Sequence, residues 1–332
     1  MSTQDLTSYP VIQRDLSGKT VAIIGANTGI GLEAAKHFAR MNPARLILGC
    51  RTHEKGTATA SLIEKETGYS KAESWPIELS DFSTVRAFTE RFEKDDVPLD
   101  FLINNAGIVA AKYEQTIDGW ESTIQVNYLS QTLLTILLLP RLLDTAKKHS
   151  DVARVVIVSS LVHSWTDFRA ERVPFDKVLN TLNSPDDQMK RYEDTKLSII
   201  LFVRAFAERF SSTAPLVIDT VCPGFCASDI LRHVDTSMFD PEAMKLAHTP
   251  EVGSRQLIYA ALAPTPEDEA KGIKLDQFKG AYISQTAITP PSDWVLSEEG
   301  KKVQNGIWEE TIEILNKVDP KITAILQKYK LC

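Results

Sequence analysis

The chain is poor in the features that would take it out of the ordinary cell interior. Its 332 residues hold four cysteines, Cys50, Cys222, Cys226 and Cys332, with no CxxC pair and no disulfide framework. Cys222 and Cys226 flank a Pro-Gly turn without histidine partners nearby, so no metal site is expected. Basic residues are outnumbered, 37 against 44 acidic, for a net charge of -7. That balance offers no electrostatic footprint for nucleic acid or an anionic membrane. The N-terminal segment 1–17 carries Asp5 and Asp15 and lacks the basic-then-apolar pattern of a secretory signal. The longest apolar run, around Leu133 to Leu139, is too short to span a bilayer and meets Pro140 and Arg141. The last four residues, Tyr329-Lys330-Leu331-Cys332, form neither a prenylation box nor a peroxisomal tripeptide. No repeat or low-complexity tract marks a second domain. A cytosolic protein with no membrane span and no nucleic-acid partner is the expectation that remains.

What is present is an ordinary globular composition, 43% apolar and 24% charged, in a chain long enough to bury a large core. Lys19 to Gly25 is an apolar run ending in glycine, and Gly29 to Arg40 follows with Ala34, Ala35, Phe38 and Ala39 at helical spacing. The turn between them, Gly25-Ala26-Asn27-Thr28-Gly29-Ile30-Gly31, suits a backbone that approaches a pyrophosphate at a helix N-terminus. A plain tight turn has the same composition. Arg45 to Cys50 reads as a second strand, ending where a dinucleotide fold reads the ribose 2′ position. An acid there would repel a 2′-phosphate, whereas this chain has Cys50 followed by Arg51, whose guanidinium suits one. NADP(H) is therefore favoured over NAD(H), against the alternative that Arg51 and Lys55 are solvated charges.

Strands are expected again at Lys71 to Leu79, Asp100 to Gly107, Val152 to Ser160, Pro215 to Val221 and Gly280 to Ser284. Helices are expected at Asp81 to Phe92, capped by Ser80 or Asp81, and at Thr123 to Leu143, Tyr192 to Phe210, Glu251 to Leu262 and Ser297 to Val318. Thr265 to Gln277 reads as a charged loop. This alternation implies a doubly wound α/β fold of the Rossmann type, a parallel sheet with helices on both faces and ligands at the strand C-terminal ends. Tyr192 and Lys196, four apart on one helix, share a face, so the lysine's charge could favour the phenolate of the tyrosine. That spacing alone is common by chance. Asn127, early in an apolar helix, is either a structural hydrogen-bonder or part of a site, and the strand-end Ser159 and Ser160 are often only turn caps.

In this order, the glycine turn, Asn104-Asn105-Ala106-Gly107, Asn127, Ser160, Tyr192 with Lys196, and Pro223-Gly224 resemble the short-chain dehydrogenase/reductase family over residues 18–285. The segments GANTGIG, CRTHEK, LINNAGI and RVVIVSS are similar to those of retinol-dehydrogenase-like proteins and related fungal reductases. The resemblance implies a tetrad: Tyr192 as general acid, Lys196 lowering its pKa and holding the nicotinamide ribose, Ser160 on the substrate oxygen, and Asn127 positioning a water. It places Gly25, Asn27, Thr28, Gly29, Ile30 and Gly31 against the cofactor phosphates. Glu78 and Leu79 would meet the adenine, and Asn105, Ala106 and Gly107 would lie along the cofactor. Tyr192, Lys196, Pro223, Gly224 and Ser228 would border the nicotinamide.

The sequence departs from the family at Ile24, where Thr is usual, at Glu78 for Asp, at Thr195 for Ser, and in a long segment between Ser160 and Tyr192. His163 in that segment either touches substrate or is a hydrogen-bonded structural histidine. Residues 226–250 would form a substrate lid and 286–332 a helical extension, packed on the domain or over the pocket. A homodimer through the helices at Thr123 and Tyr192 is the family's habit, which the extension would block if it covered them. The expected activity is NADPH-dependent interconversion of a ketone or aldehyde and an alcohol on an apolar small molecule. A nucleotide-binding regulatory module is the alternative disfavoured by the intact tetrad, and non-redox chemistry in the same site is the alternative left open.

Overall fold

The computed structural model describes residues 10–227, 229–231 and 245–331. Its centre is an eight-stranded sheet in the order β3-β2-β1-β4-β5-β6-β7-β8. The strands are β1 (Thr20–Ile24), β2 (Arg45–Cys50), β3 (Ala72–Pro76), β4 (Phe101–Asn104), β5 (Ala153–Val158), β6 (Leu216–Cys222), β7 (Tyr282–Ser284) and β8 (Ala287–Thr289). All pairs are parallel up to β7, and β8 turns back antiparallel at the edge. This is the Rossmann-type sheet expected, with one short hairpin strand added. Strands β1, β5 and β6 are buried along their whole length, as a sheet covered on both faces requires.

Helices α1 (Gly29–Arg40), α2 (His53–Thr67) and α3 (Phe82–Lys94) connect the first four strands. The α3 cap is Asp81, whose carboxylate accepts from Ser83 N at 2.8 Å. After β4 comes α4 (Ser122–His149), which contains a π-helical stretch at Gln125–Leu129. By length and composition α4 could cross a membrane, but 89% of its apolar window is buried inside the protein. Next come α5 (Val178–Leu182), α6 (Arg191–Arg209), α7 (Pro250–Leu262) and α8 (Pro266–Ala270). The segment expected as a charged loop is thus partly helical, because Thr265 and Asp268 form a reciprocal capping box. The chain ends with α9 (Asp293–Leu296), α10 (Glu298–Val318) and α11 (Lys321–Lys328).

Two apolar layers sandwich the sheet. Phe38 of α1, Ile63 of α2 and Leu257 of α7 lie in one, and Phe88, Leu134, Phe202 and Trp308 in the other. In the second layer α10 packs directly on the two helices named for a dimer. Trp308 stacks on Phe202 at 5.5 Å, Thr311 hydrogen-bonds Tyr128 at 2.7 Å, and Arg209 donates to Asn305 at 3.0 Å. A dimer through those faces would have to displace α10.

Candidate active site

At the end of β1 the backbone turns through Gly25 at φ +80°, where a Cβ would lie 2.8 Å from Ala106 Cα. A Cβ on Gly31 would sit 2.2 Å from the Gly25 carbonyl oxygen, so only glycine lets α1 start this close to the strand. Asn105 ties β4 to the turn, donating from Nδ2 to Gly25 O at 3.0 Å. Thr28 stands at the N-cap but does not cap, and the first turn of α1 has no acid. Its hydroxyl donates instead to Asp229 Oδ2 at 2.6 Å. A helix start with a glycine cradle and neither cap nor carboxylate of its own fits a pyrophosphate. Asn27, Gly29 and Ile30 form the partly exposed lip of this cradle.

Arg51, at the end of β2, points to Glu78, with Nε 2.8 Å from Oε2. Glu78 also accepts from Ser80 N at 3.1 Å. The residue assigned to the 2′ position and the one assigned to the adenine therefore hold each other across the adenosine end of the cradle. Leu79 is buried, and its carbonyl takes the Ser130 hydroxyl at 2.5 Å, pinning this edge.

The two strand-end serines have different fates. Ser159 is buried and donates to the Lys196 carbonyl at 2.9 Å, which makes it a structural anchor of α6. Ser160 is partly exposed, accepts from Val162 N at 3.4 Å and lies close enough to the Tyr192 phenol to act on it. Tyr192 is raised well above the usual phenol range, chiefly by burial and then by neighbouring Cys222 and Glu193, with the Ser160 hydrogen bond pulling the other way. Lys196 is 2% exposed, with Nζ 5.4 Å from the Tyr192 ring centroid and donating to Val158 O at 2.8 Å. Burial brings its pKa down to about 8, opposed by Cys222. The side chains alone therefore do not pull the phenol down. Lys196 is aimed at a carbonyl and retains donor capacity for a further partner.

Asn127 lies in the π-helical stretch of α4 and is fully buried. Its amide bridges Ile108, accepting from N at 2.8 Å and donating to O at 2.9 Å, and also donates to Thr195 Oγ1 at 3.2 Å. A Cβ on Gly107 would meet Asn127 Oδ1 at 3.4 Å and Lys196 Nζ at 3.8 Å. Asn127 and Lys196 thus border the same gap, which a side chain at Gly107 would fill. The Ala106 carbonyl beside it is held by Gln131 Nε2 at 2.6 Å.

After β6, Gly224 has φ +83° and the Pro223 carbonyl accepts from Cys226 Sγ at 3.4 Å. Ser228 lies outside the described residues, as does most of the expected lid. His163 is structural: Nδ1 donates to Ser160 O at 2.8 Å, and Nε2 accepts from Ser292 N at 3.1 Å. Both ring nitrogens are occupied in one neutral tautomer, and burial lowers its pKa. Cys222, at the end of β6, acts electrostatically on both Tyr192 and Lys196, and its position just before Pro223 is the sequence signal for it.

Tyr192, Lys196, Ser160 and Asn127 lie toward the C-terminal edge of the sheet, as does the glycine cradle, and the whole chain is similar to known proteins. The short chain dehydrogenase family model matches residues 19–166. A short chain dehydrogenase/reductase of Cryptosporiopsis sp. is 32% identical over 329 residues, covering 97% of this chain and 98% of the relative. The chain belongs to the short-chain dehydrogenase/reductase family. Retinol dehydrogenase 12 of Bos taurus is 34% identical over 306 residues, with 90% of this chain and 87% of the relative covered. Among solved structures, a short chain dehydrogenase from Burkholderia cenocepacia in complex with NADP superposes with a TM-score of 0.59. It is 20% identical and covers 82% of this chain and 97% of its own. This short-chain dehydrogenase thus has the family's Rossmann-type sheet, with α10 and α11 packed on the face that carries α4 and α6.

Proposed function

We propose that this protein is an NADP(H)-dependent oxidoreductase that interconverts a ketone or aldehyde and an alcohol on an apolar skeleton. The observation that carries the reading is the gap beside Gly107, bordered by Asn127 and by the buried Lys196, whose Nζ stands 5.4 Å from the Tyr192 ring centroid, with Ser160 near the same phenol. When bound, a nicotinamide supplies or takes up the hydride. In reduction the Ser160 hydroxyl would hold the carbonyl oxygen and Tyr192 would protonate it as charge develops. The Lys196 ammonium would stabilise the phenolate left behind. In oxidation Tyr192 takes the proton instead.

Choice of NADP(H) is supported by Arg51 and by the absence of an acid at the end of β2; the distant Burkholderia structure bears on the fold alone. The apolar substrate is supported by the rim. Leu161 and Trp165 follow Ser160, Met189 precedes Tyr192 by three residues, and Phe225 follows Gly224, and each of the four is 44–67% exposed. Large apolar side chains left exposed next in sequence to the site residues are the kind of surface that takes an apolar ligand. The name of the Bos taurus relative, a retinol dehydrogenase, agrees with such a substrate.

The test is turnover by purified protein with NADPH and with NADH on a series of ketones graded from small and polar to large and apolar. NADPH oxidation that grows with apolar bulk is expected. Tyr192→Phe should lower the rate by roughly 10²- to 10⁴-fold while NADPH still binds. Binding of NADPH without turnover of any carbonyl would refute the redox reading in favour of non-redox chemistry.

A further inference from the structure

The segment between Ser160 and Tyr192 delivers one half of a largely buried charge quartet to the helix that bears Tyr192 and Lys196. Asp194, within the Tyr192–Lys196 motif and fully buried, is gripped by Arg172, Nη1 to Oδ1 at 2.8 Å and Nη2 to Oδ2 at 2.7 Å. Thr166 donates to the same carboxylate at 2.8 Å. Arg191, 1% exposed, has Nη1 3.6 Å from Asp194 and Nε 4.0 Å from Glu121. Glu121 is also fully buried and caps α4 with both oxygens, accepting from Thr123 N at 3.0 Å and Ile124 N at 2.9 Å. Gln188 of the same segment donates to it at 3.0 Å. Two arginines thus face two carboxylates across the starts of α4 and α6, the helices that carry Asn127 and Tyr192.

A quartet spent only on stability would be a poor use of buried charge, since ion pairs in the interior roughly break even against apolar packing. Its placement suggests a second role. We propose that Arg172, Asp194, Arg191 and Glu121 form a charge-balanced strut that positions Tyr192 against Ser160 and holds the local field on its phenol near neutral. Arg172 and Asp194 are then positioning residues of the oxidoreductase site, and the segment 161–190 belongs to the catalytic architecture. This rests on the catalytic reading of Tyr192 given above.

Field balance predicts a sign. Glu193 and Cys222 bear on the Tyr192 phenol, with Tyr282 of β7 beyond Cys222, Ser160 after β5, and Lys196 Nζ 5.4 Å from its ring, while the quartet flanks Tyr192 through Arg191 and Asp194, one and two residues away on the same helix. Asp187 and Asp167 add negative charge outside Arg172. Removing a cation from the quartet is expected to raise the Tyr192 pKa and removing an anion to lower it, by an amount that falls with distance.

The experiment measures the pH dependence of alcohol oxidation with NADP⁺, together with the Tyr192 ring-carbon NMR titration of the NADP⁺-loaded protein. Arg172→Gln should move both midpoints up by roughly half a pH unit, and Asp194→Asn should move them down by a similar amount. Arg172→Lys, which keeps the charge but loses the fork, should leave the midpoint in place while kcat falls roughly 10- to 100-fold, as misplaced groups do. Binding of NADPH and the melting temperature establish that each variant is folded; because Arg172 is part-exposed, the Gln and Lys pair decides the matter if Asp194→Asn does not fold. Shifts of the same sign in Arg172→Gln and Asp194→Asn, or no shift in Arg172→Gln, overturn the proposal. A Tyr192→Phe enzyme as active as the parent overturns the catalytic reading instead, and is recognised separately because it does not involve the quartet.

Discussion

Helix α6 buries charge on two faces, and the two faces are built on opposite rules. On one, Lys196 is 2% exposed with a single carbonyl acceptor and, among the described residues, no carboxylate. On the other, Asp194 is 0% exposed and receives Arg172 through both oxygens, with Arg191 at 3.6 Å. A lone buried cation is held at a cost, which the fall of its pKa to about 8 records. A compensated buried anion costs little while its partners are present and a great deal once one is removed. The difference separates two ways of burying charge: an uncompensated cation, the kind of group that clusters at sites that bind or react, and a compensated network that holds the helix start in place.

The widest separation between the faces should come from Lys196→Met. Turnover is expected to fall by roughly 10²- to 10⁴-fold, the range of an acid-base group. Stability of the cofactor-free protein should move the other way, rising by about 3 kcal/mol below pH 8. Lys196 has a folded pKa of about 8 against an unfolded value of 10.5. Between those values the unfolded chain binds more protons, so the parent gains stability as pH rises from about 8 to 10.5. Below 8 the full penalty is present. Lys196→Met should lack that rise, and urea unfolding across the pH range measures it. A variant less stable than the parent at pH 7 would break the comparison.

On the opposite face Asp194→Ala should cost about 3–5 kcal/mol, because Arg172 and Arg191 would be left facing each other without their shared carboxylate. Chemical unfolding at pH 7 gives the value. A loss below about 1 kcal/mol would mean that the two faces do not differ in kind.

Only one of these faces was legible in the chain. The Tyr192–Lys196 spacing, the glycine turn and the strand-end Asn105 to Gly107 are local signals, in which turn chemistry and helical period act over a few residues. The quartet joins positions 22 and 70 apart, Arg172 to Asp194 and Glu121 to Arg191, and nothing in composition or period links them. Helix α2 was missed for another reason: of its fifteen residues only Gly56, Thr59 and Ile63 are buried, so it carries almost no apolar stripe. Strand β8 is three residues long, below what alternation can register. Ser160 could be preferred to Ser159 only through family resemblance, and the structure supplies the physical reason, since the Ser159 hydroxyl is already committed to the Lys196 carbonyl.

The smallest effect sharpens the comparison by supplying a charge pair that is neither lone nor buried. Arg51 and Glu78 meet at 2.8 Å, but the arginine side chain is 55% exposed. An exposed pair contributes at most about 1 kcal/mol to folding. Arg51→Ala should therefore leave the unfolding midpoint nearly unchanged. Its effect should appear in cofactor choice, because a guanidinium within reach of the 2′ position favours a phosphate there and is indifferent to a hydroxyl. The affinity for NADPH is expected to fall roughly tenfold or more and that for NADH to stay within about twofold, since charge-assisted hydrogen bonds contribute about 1.5–3 kcal/mol. Glu78→Gln provides the converse: with the carboxylate neutralised, Arg51 is released to the phosphate and NADPH should bind more tightly. Fluorescence titration of both variants with both nucleotides measures this. Equal losses for NADPH and NADH in Arg51→Ala would assign the arginine to the edge of the fold and leave discrimination between the nucleotides to other residues.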